Sequence, residues 1–308
     1  MWRFILRRLL SAIPTMWLVV TAAFFLLHAA PGGPFDSARR LLPAIQRAVE
    51  ARYHLDQPLW RQYVDYLDDL VHGNLGPSYQ YRDTSVNQII AEGLPVDAGI
   101  GLAALALALL VGIPIGIAAA LRRDGPLDHL LMSLAVFGIS VPVFVVAPLL
   151  VLIFAVALHW LPAGDWVPGS LAHWVMPTVS LGLPYIAYVA RLMRASTIET
   201  LESPFIRTAR AKGLPTHVVA LRHALRPSLL PLISFLGPAI AGLITGSIIV
   251  EEVFGLPGIG RYFVTGAFNR DYTLVVGVTI VYGALIIGLN LLADLAYAWA
   301  DPRVRLQT

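Results

Sequence analysis

The chain reads as an all-α, polytopic membrane protein with six transmembrane helices. Three observations predict this. Of 308 residues, 57% are hydrophobic and 13% charged, against roughly 25% charged in a soluble domain, and the mean hydropathy is +0.71. Six apolar runs, 9–30, 98–121, 130–158, 174–192, 229–250 and 274–300, reach the roughly 20 residues that a bilayer crossing needs. Finally, the short loops are asymmetric in charge. Arg3, Arg7, Arg8, Arg122, Arg123, the 203–231 segment, Arg303 and Arg305 fall on one side, whereas 158–173 carries no Lys or Arg. By the positive-inside rule both the N- and C-termini are expected to be cytoplasmic. The net charge of +3 says less than this placement, and the absence of Cys excludes disulfides and thiolate metal sites.

The first run exceeds the roughly 7–15 residues of a signal-peptide core, so it is expected to remain as a span. Residues 31–95 follow as an external segment, long enough to be translocated despite six arginines from Arg39 to Arg82. Leu41, Leu42, Ile45 and Val49 repeat at helical spacing, as do Leu59, Tyr63, Leu67 and Leu70, with Trp60 and Tyr66 suited to an interface. The glycines of 72–77 break the pattern, and Tyr79-Gln80-Tyr81 reads as extended. Ser85 with Gln88 forms a capping box for a short helix ahead of the second span. Two roles are open to this segment: a cap that receives a delivery protein or shields an outer gate, and a packing collar. The expected division is 1–93 (first span and external cap), 94–300 (transmembrane domain) and 301–308 (cytoplasmic tail).

Within the spans, Gly112/Gly116 and Gly242/Gly246 are small-xxx-small pairs that permit close helix approach. The third and sixth runs are long enough to tilt or to start late. Prolines 114, 142, 148, 177, 184 and 238 read as hinges or as ordinary packing features. The glycines of 251–260 do not follow a strand, which argues against a phosphate-cradling role. His28, Asp97, Arg191, Arg194 and Asp294 are the ionisable residues near spans. Most are expected near helix ends, where they snorkel; Arg191 with Asp294 is a possible interhelical pair.

The longest break on the side expected to be cytoplasmic, 203–231, is dense in positive charge. Ser203 is placed as an N-cap and Pro204 at the first helical position. Arg210 and Lys212 fall in the last turn, and Gly213 suits a left-handed C′ residue. Leu214-Pro215 stops the helix, and Thr216 is expected to cap a second one whose Val218, Leu221 and Leu225 share a face. A helix–glycine–helix hairpin of this kind reads as a docking element for a soluble partner.

Catalytic patterns are missing. The lone lysine, Lys212, follows Ala211, so no Gly-Lys P-loop exists, and neither H-E-x-x-H nor G-x-S-x-G occurs. Uphill transport would need a second polypeptide or an ion gradient.

The segment RTARAKGLP followed by RHALRP resembles the cytoplasmic coupling loop of ABC importer permeases in its peptide-importer form. Ala209 and Gly213 match that loop, while Arg207 and Thr208 replace its usual Glu and first Ala. FILRRLLSAIPT, HAAPGGPF, HGNLGPSYQYRD, ITGSIIVEEVFGLPGIG and NRDY match the same subfamily. The chain is similar to the B-type membrane subunits of oligopeptide importers. The resemblance implies a type I ABC importer permease fold in a bacterial cytoplasmic (inner) membrane. It also implies a homologous C-type permease as partner, two cytosolic ATPase subunits, a periplasmic or lipid-anchored peptide-binding protein and membrane lipid, with no nucleic acid. ATP and Mg belong to the ATPases, no cofactor to this chain, and peptide is held mainly on the binding protein. In the coupling loop, Phe205, Ile206 and Ala209 are expected to make apolar contact with the ATPase. Arg207, Arg210 and Lys212 give electrostatic registration, and Gly213, Leu214 and Pro215 form the turn. Dipeptide or nickel permeases share the loop. In a different class, an ion-coupled secondary transporter would use Asp294, Asp97 or His28.

Overall fold

The longest apolar run, 130–158, is not one straight helix, and its break shows how local chemistry shapes this all-α chain. In the computed structural model, which describes residues 2–30, 32–35, 43–245 and 248–300, helices account for nearly every span. They begin with α1 (Trp2–Ala29), α2 (Pro43–Arg52), α3 (Leu59–Val71) and α4 (Val86–Leu121). Next come α5 (Pro126–Ser140), α6 (Val143–Leu150) continued by a π-turn segment at Val151–Ala157, and α7 (Ala172–Leu201). Short helices follow: α8 (Pro204–Ala211), α9 (Thr216–Val218), a π segment at Val219–Ala224, and α10 (Leu225–Ser228). The chain ends in α11 (Leu230–Thr245), α12 (Ile248–Phe254), α13 (Ile259–Asn269) and α14 (Tyr272–Ala300). Among the described residues the β content is one isolated bridge, Pro77 to Ser85.

Among the described residues five helical stretches are long and apolar enough to cross a membrane, one of them running through α11 and α12, and six spans result if α5 and α6 are two arms of one. Those arms meet at 97°. Proline explains the bend: Pro142 lacks an N–H for the helical ladder, and it disfavours helical geometry in the residue before it. Val141 accordingly adopts φ −84°, ψ 118°. The α4 helix also departs from expectation. It starts at Val86, so the anticipated short helix and the second span are one 36-residue element. Ser85 still accepts a bond from the Gln88 N–H at 3.2 Å. Because α4 starts early, Asp97 lies well inside it and is 1% exposed rather than snorkelling at an end.

Packing divides the chain into two compact units that do not follow its linear order. One holds Val96–Leu256 with, among the described residues, 2–5 and 286–300. Its core includes Ile100, Leu181, Leu243, Val250 and Phe254, and a second cluster joins Ala108 and Leu232 to Val189 and Met193. The first glycine pair acts as expected here. A Cβ on Gly112 would lie 2.8 Å from the Ile186 carbonyl oxygen, and one on Gly116 2.5 Å from that of Ala190. These glycines let α4 and α7 pack backbone to backbone. Gly246 of the other pair lies outside the described residues.

The second unit holds Leu6–Pro95 and Pro257–Leu285. Val86, Ile89, Ile259, Leu274 and Val278 fill one core, and Val20, Phe24, Tyr66 and Val276 another. Tyr63, Leu67 and Leu70 pack against the latter, but Leu59 stays 47% exposed. Tyr66, expected at an interface, is 8% exposed, whereas Trp60 is 65% exposed. Leu41 and Leu42 lie outside the described residues. The 79–81 stretch is bent rather than extended, because Asp271 gathers it in. The buried Asp271 carboxylate accepts from Ser78 Oγ, from the Tyr79 N–H at 3.0 Å and from the Gln80 N–H at 3.2 Å. Its other oxygen accepts from Thr273 Oγ1 and the Leu274 N–H, capping α14.

Candidate functional site

The 203–231 hairpin is built as its residues foretell, with three changes. Pro204 occupies the first turn of α8 and Ser203 has extended N-cap geometry. The Ser203 hydroxyl, however, donates to the Thr200 carbonyl at 2.6 Å, tying the hairpin back to α7 instead of capping α8. Arg210 lies in the last turn of α8, and Gly213 takes φ +76°, the left-handed turn that ends it. Pro215, not Thr216, precedes the next helix, and no side chain caps it.

The third change is the π segment Val219–Ala224, whose wider turns rotate the apolar face. Val219, Ala220 and Ala224 are buried in place of the expected Val218, Leu221 and Leu225 stripe, and Leu221 is 61% exposed. Ile206 and Ala209 pack on Val219 and Ala224, with Leu201 and Leu214 alongside, forming a small core inside the hairpin. This corrects the expectation that Ile206 and Ala209 present an apolar contact: at 0% and 5% exposure they hold the hairpin together. Phe205 remains 49% exposed. Arg207, Arg210, Lys212, Gly213 and Pro215 are exposed, as are Arg222 and Arg226, and Leu214 is partly buried. The outer surface therefore combines five cationic side chains with two apolar ones, Phe205 and Leu221. Such a surface suits a partner with acidic and apolar groups.

The hairpin is fastened at both ends to α7. Besides Ser203, the buried Ser228 donates to Thr200 Oγ1 at 3.2 Å. Two turns earlier on α7 lies a clamp that sequence reasoning missed. Arg194 Nε and Nη2 donate to the two oxygens of Asp128, each at 2.6 Å. The Asp128 carboxylate also accepts from the Asp124 N–H at 2.9 Å and is 2% exposed. This bidentate pair joins the start of α5 to the end of α7. A weaker tie runs from Arg123 Nη1 to Glu202 Oε1 at 2.6 Å, with both side chains more than half exposed. The bidentate pair on α7 is made by Arg194 with Asp128, one turn beyond Arg191. Among the described residues, no group of three or more His, Asp or Glu side chains converges as a metal site.

The site is thus a self-supporting basic hairpin, rooted in α7 and braced through α7 to α5. Comparison with known proteins bears on the fold and the family. In solved structures, an inward-facing MetNI methionine ABC transporter matches 69% of this chain and 96% of its own, with TM-score 0.58 at 15% identity. An amino acid ABC transporter matches 68% and 92%, with TM-score 0.54 at 17% identity. The fold is therefore that of the ABC importer permeases. The oligopeptide transport system permease protein OppB of Escherichia coli K12 is 52% identical over 305 residues, 99% of this chain and all of that protein. The dipeptide transport system permease protein DppB of Bacillus subtilis is 42% identical over 304 residues, 99% and 98%. The N-terminal model of the binding-protein-dependent transport system membrane components matches residues 1–100. Since the main model of that family matches 112–306, the chain belongs to the binding-protein-dependent transport system inner membrane components.

Proposed function

We propose that this multi-pass inner-membrane permease is the B-type subunit of an ATP-driven oligopeptide importer. The observation that carries the substrate class is full-length identity of 52% with an oligopeptide permease, against 42% with a dipeptide permease. An ion-coupled mechanism is not favoured, because these relatives are ABC permeases throughout their length.

In this reading both termini and the 203–231 hairpin face the cytosol, and the translocation path forms with a homologous C-type permease. Two cytosolic ATPases bind ATP and Mg, and a peptide-binding protein delivers cargo from outside. Each ATPase closure moves a hairpin. Phe205 and Leu221 supply the apolar part of the contact, and Arg207, Arg210 and Lys212 its charge register. Ile206 and Ala209 make the hairpin stiff, Gly213, Leu214 and Pro215 set its turn, and the Arg194–Asp128 clamp passes the movement from α7 to α5. A ligand or motor shifts such an equilibrium only through contacts that differ between its two states, and a stiff lever maximises that difference. The test is uptake of a labelled oligopeptide into proteoliposomes. Uptake should require the second permease, both ATPases, the binding protein and ATP together. Uptake by this chain alone under a proton or sodium gradient would remove the proposal.

A further inference from the structure

We propose that the aromatic-walled cavity formed by α1, α3, the 77–79 turn and the start of α14 is a binding site for an organic ammonium group. The cavity measures about 170 Å³. A cavity of about 150 Å³ admits benzene, so there is room for one amine-bearing headgroup or one terminal residue, not for a peptide.

Rings form a nearly continuous wall. Phe24 stacks on His28 with centroids 4.1 Å apart, and His28 lies 4.4 Å from Tyr272. Tyr272 meets Tyr79 edge-on at 6.3 Å, and Tyr79 meets Tyr53 at 5.0 Å. Tyr66 closes the other side, 6.0 Å from Phe24. Ring faces attract cations, most strongly where water is excluded. The charge at the lining has the matching sign. Asp65 and Asp69, one turn apart on α3, both line the cavity, against a single guanidinium, Arg52. That guanidinium already sits 6.0 Å over the Tyr53 ring.

The Tyr66 hydroxyl points to a ligand independently. It lines the cavity, its residue is 8% exposed, and it has no hydrogen-bond partner among the described residues. Burial, and then the Asp69 charge, push the phenol well above its usual range, so it stays neutral and its oxygen can accept. A buried hydroxyl without a partner is costly, and an ammonium N–H supplies one. Phe24 and His28 stand at the end of a membrane span, Leu6–Ala29. An ammonium group at that level has two sources: the headgroup of an amine-bearing lipid, or the amino terminus of a peptide. The site is defined by residues of the second unit alone and does not depend on the coupling hairpin.

The experiment uses the full chain in phosphatidylglycerol nanodiscs, with n-butylammonium and n-butanol as probes read by saturation-transfer NMR. The cation should bind about tenfold more tightly than the alcohol. Asp65→Asn with Asp69→Asn should abolish that preference. Tyr66→Phe, which keeps the ring, should weaken the cation about threefold without lowering the unfolding temperature. Displacement of the probe by phosphatidylethanolamine in the nanodisc identifies a lipid source. Displacement by trialanine but not by N-acetyl-trialanine identifies a peptide amino terminus. Equal binding of cation and alcohol, no binding of either, or a preference that survives the double Asp substitution would each overturn the proposal.

Discussion

Gly213 turns the hairpin at φ +76° with open space around it, so a side chain there meets backbone strain and nothing else. An L-residue in the left-handed region costs about 1–2 kcal/mol. Gly213→Ala should therefore leave membrane insertion intact but lower binding-protein-stimulated ATPase activity, with Gly213→Asn milder because Asn tolerates that conformation. Equal activity of Ala and wild type would show that the turn is not under load. The Arg194–Asp128 clamp gives a second expectation. Removing one partner of a fully buried pair typically costs about 3–5 kcal/mol; Arg194 is 27% exposed, so Asp128→Ala should lower the unfolding temperature, but by less than that figure implies. Arg194→Lys, which keeps the charge but loses the two-pronged geometry, should retain more stability yet weaken coupling. These two sites also differ in legibility. Gly213 could be read because its cause is local, the glycine following a basic last turn and preceding Leu-Pro. Asp128 and Arg194 are 66 positions apart, and nothing in either neighbourhood names the other.

At the scale of elements, the hairpin separates two roles that one apolar stretch concealed. Ile206 is fully buried in the hairpin core while its neighbour Phe205 is half exposed. Truncating a buried Ile to Ala costs about 2–5 kcal/mol, so Ile206→Ala should loosen the hairpin, read as faster proteolysis near 203–231. Phe205→Ala should leave that protection unchanged and instead weaken ATPase association in pull-down from detergent. If Phe205→Ala loosens the hairpin equally, the division of roles fails. Helical periodicity could not reveal it, because the π segment Val219–Ala224 shifts the buried face by about one residue. The bend at Val141 was hidden for a related reason: residues on both sides of Pro142 are apolar, so hydropathy sees one run. Tyr66 was misplaced, and the role of Asp271 missed, through a different limit. Tyr66 looked like an interface aromatic, and its burial depends on α1 and on Val276 of α14. Asp271 collects donors from 78–80, nearly two hundred positions earlier.

For the whole molecule, composition and arginine placement made the class readable, because a bilayer leaves few ways to satisfy a backbone. Which face the hairpin occupies is the remaining structural commitment of the coupling mechanism. The chain lacks Cys, so a single substitution can address it without a background to remove. Ala211→Cys and Thr216→Cys both lie at exposed positions on the hairpin, where a thiol should disturb neither its core nor its ties to α7. In intact cells both should resist a membrane-impermeant maleimide, and in inverted membrane vesicles both should react. In the assembled transporter each should crosslink to an ATPase subunit, and added ATP with a non-hydrolysable analogue as comparison should change the crosslinking yield. Labelling in intact cells would put the hairpin on the wrong face for a cytosolic motor. Labelling from the cytosolic side with no ATPase crosslink would leave it as a loop that fixes topology and transmits nothing.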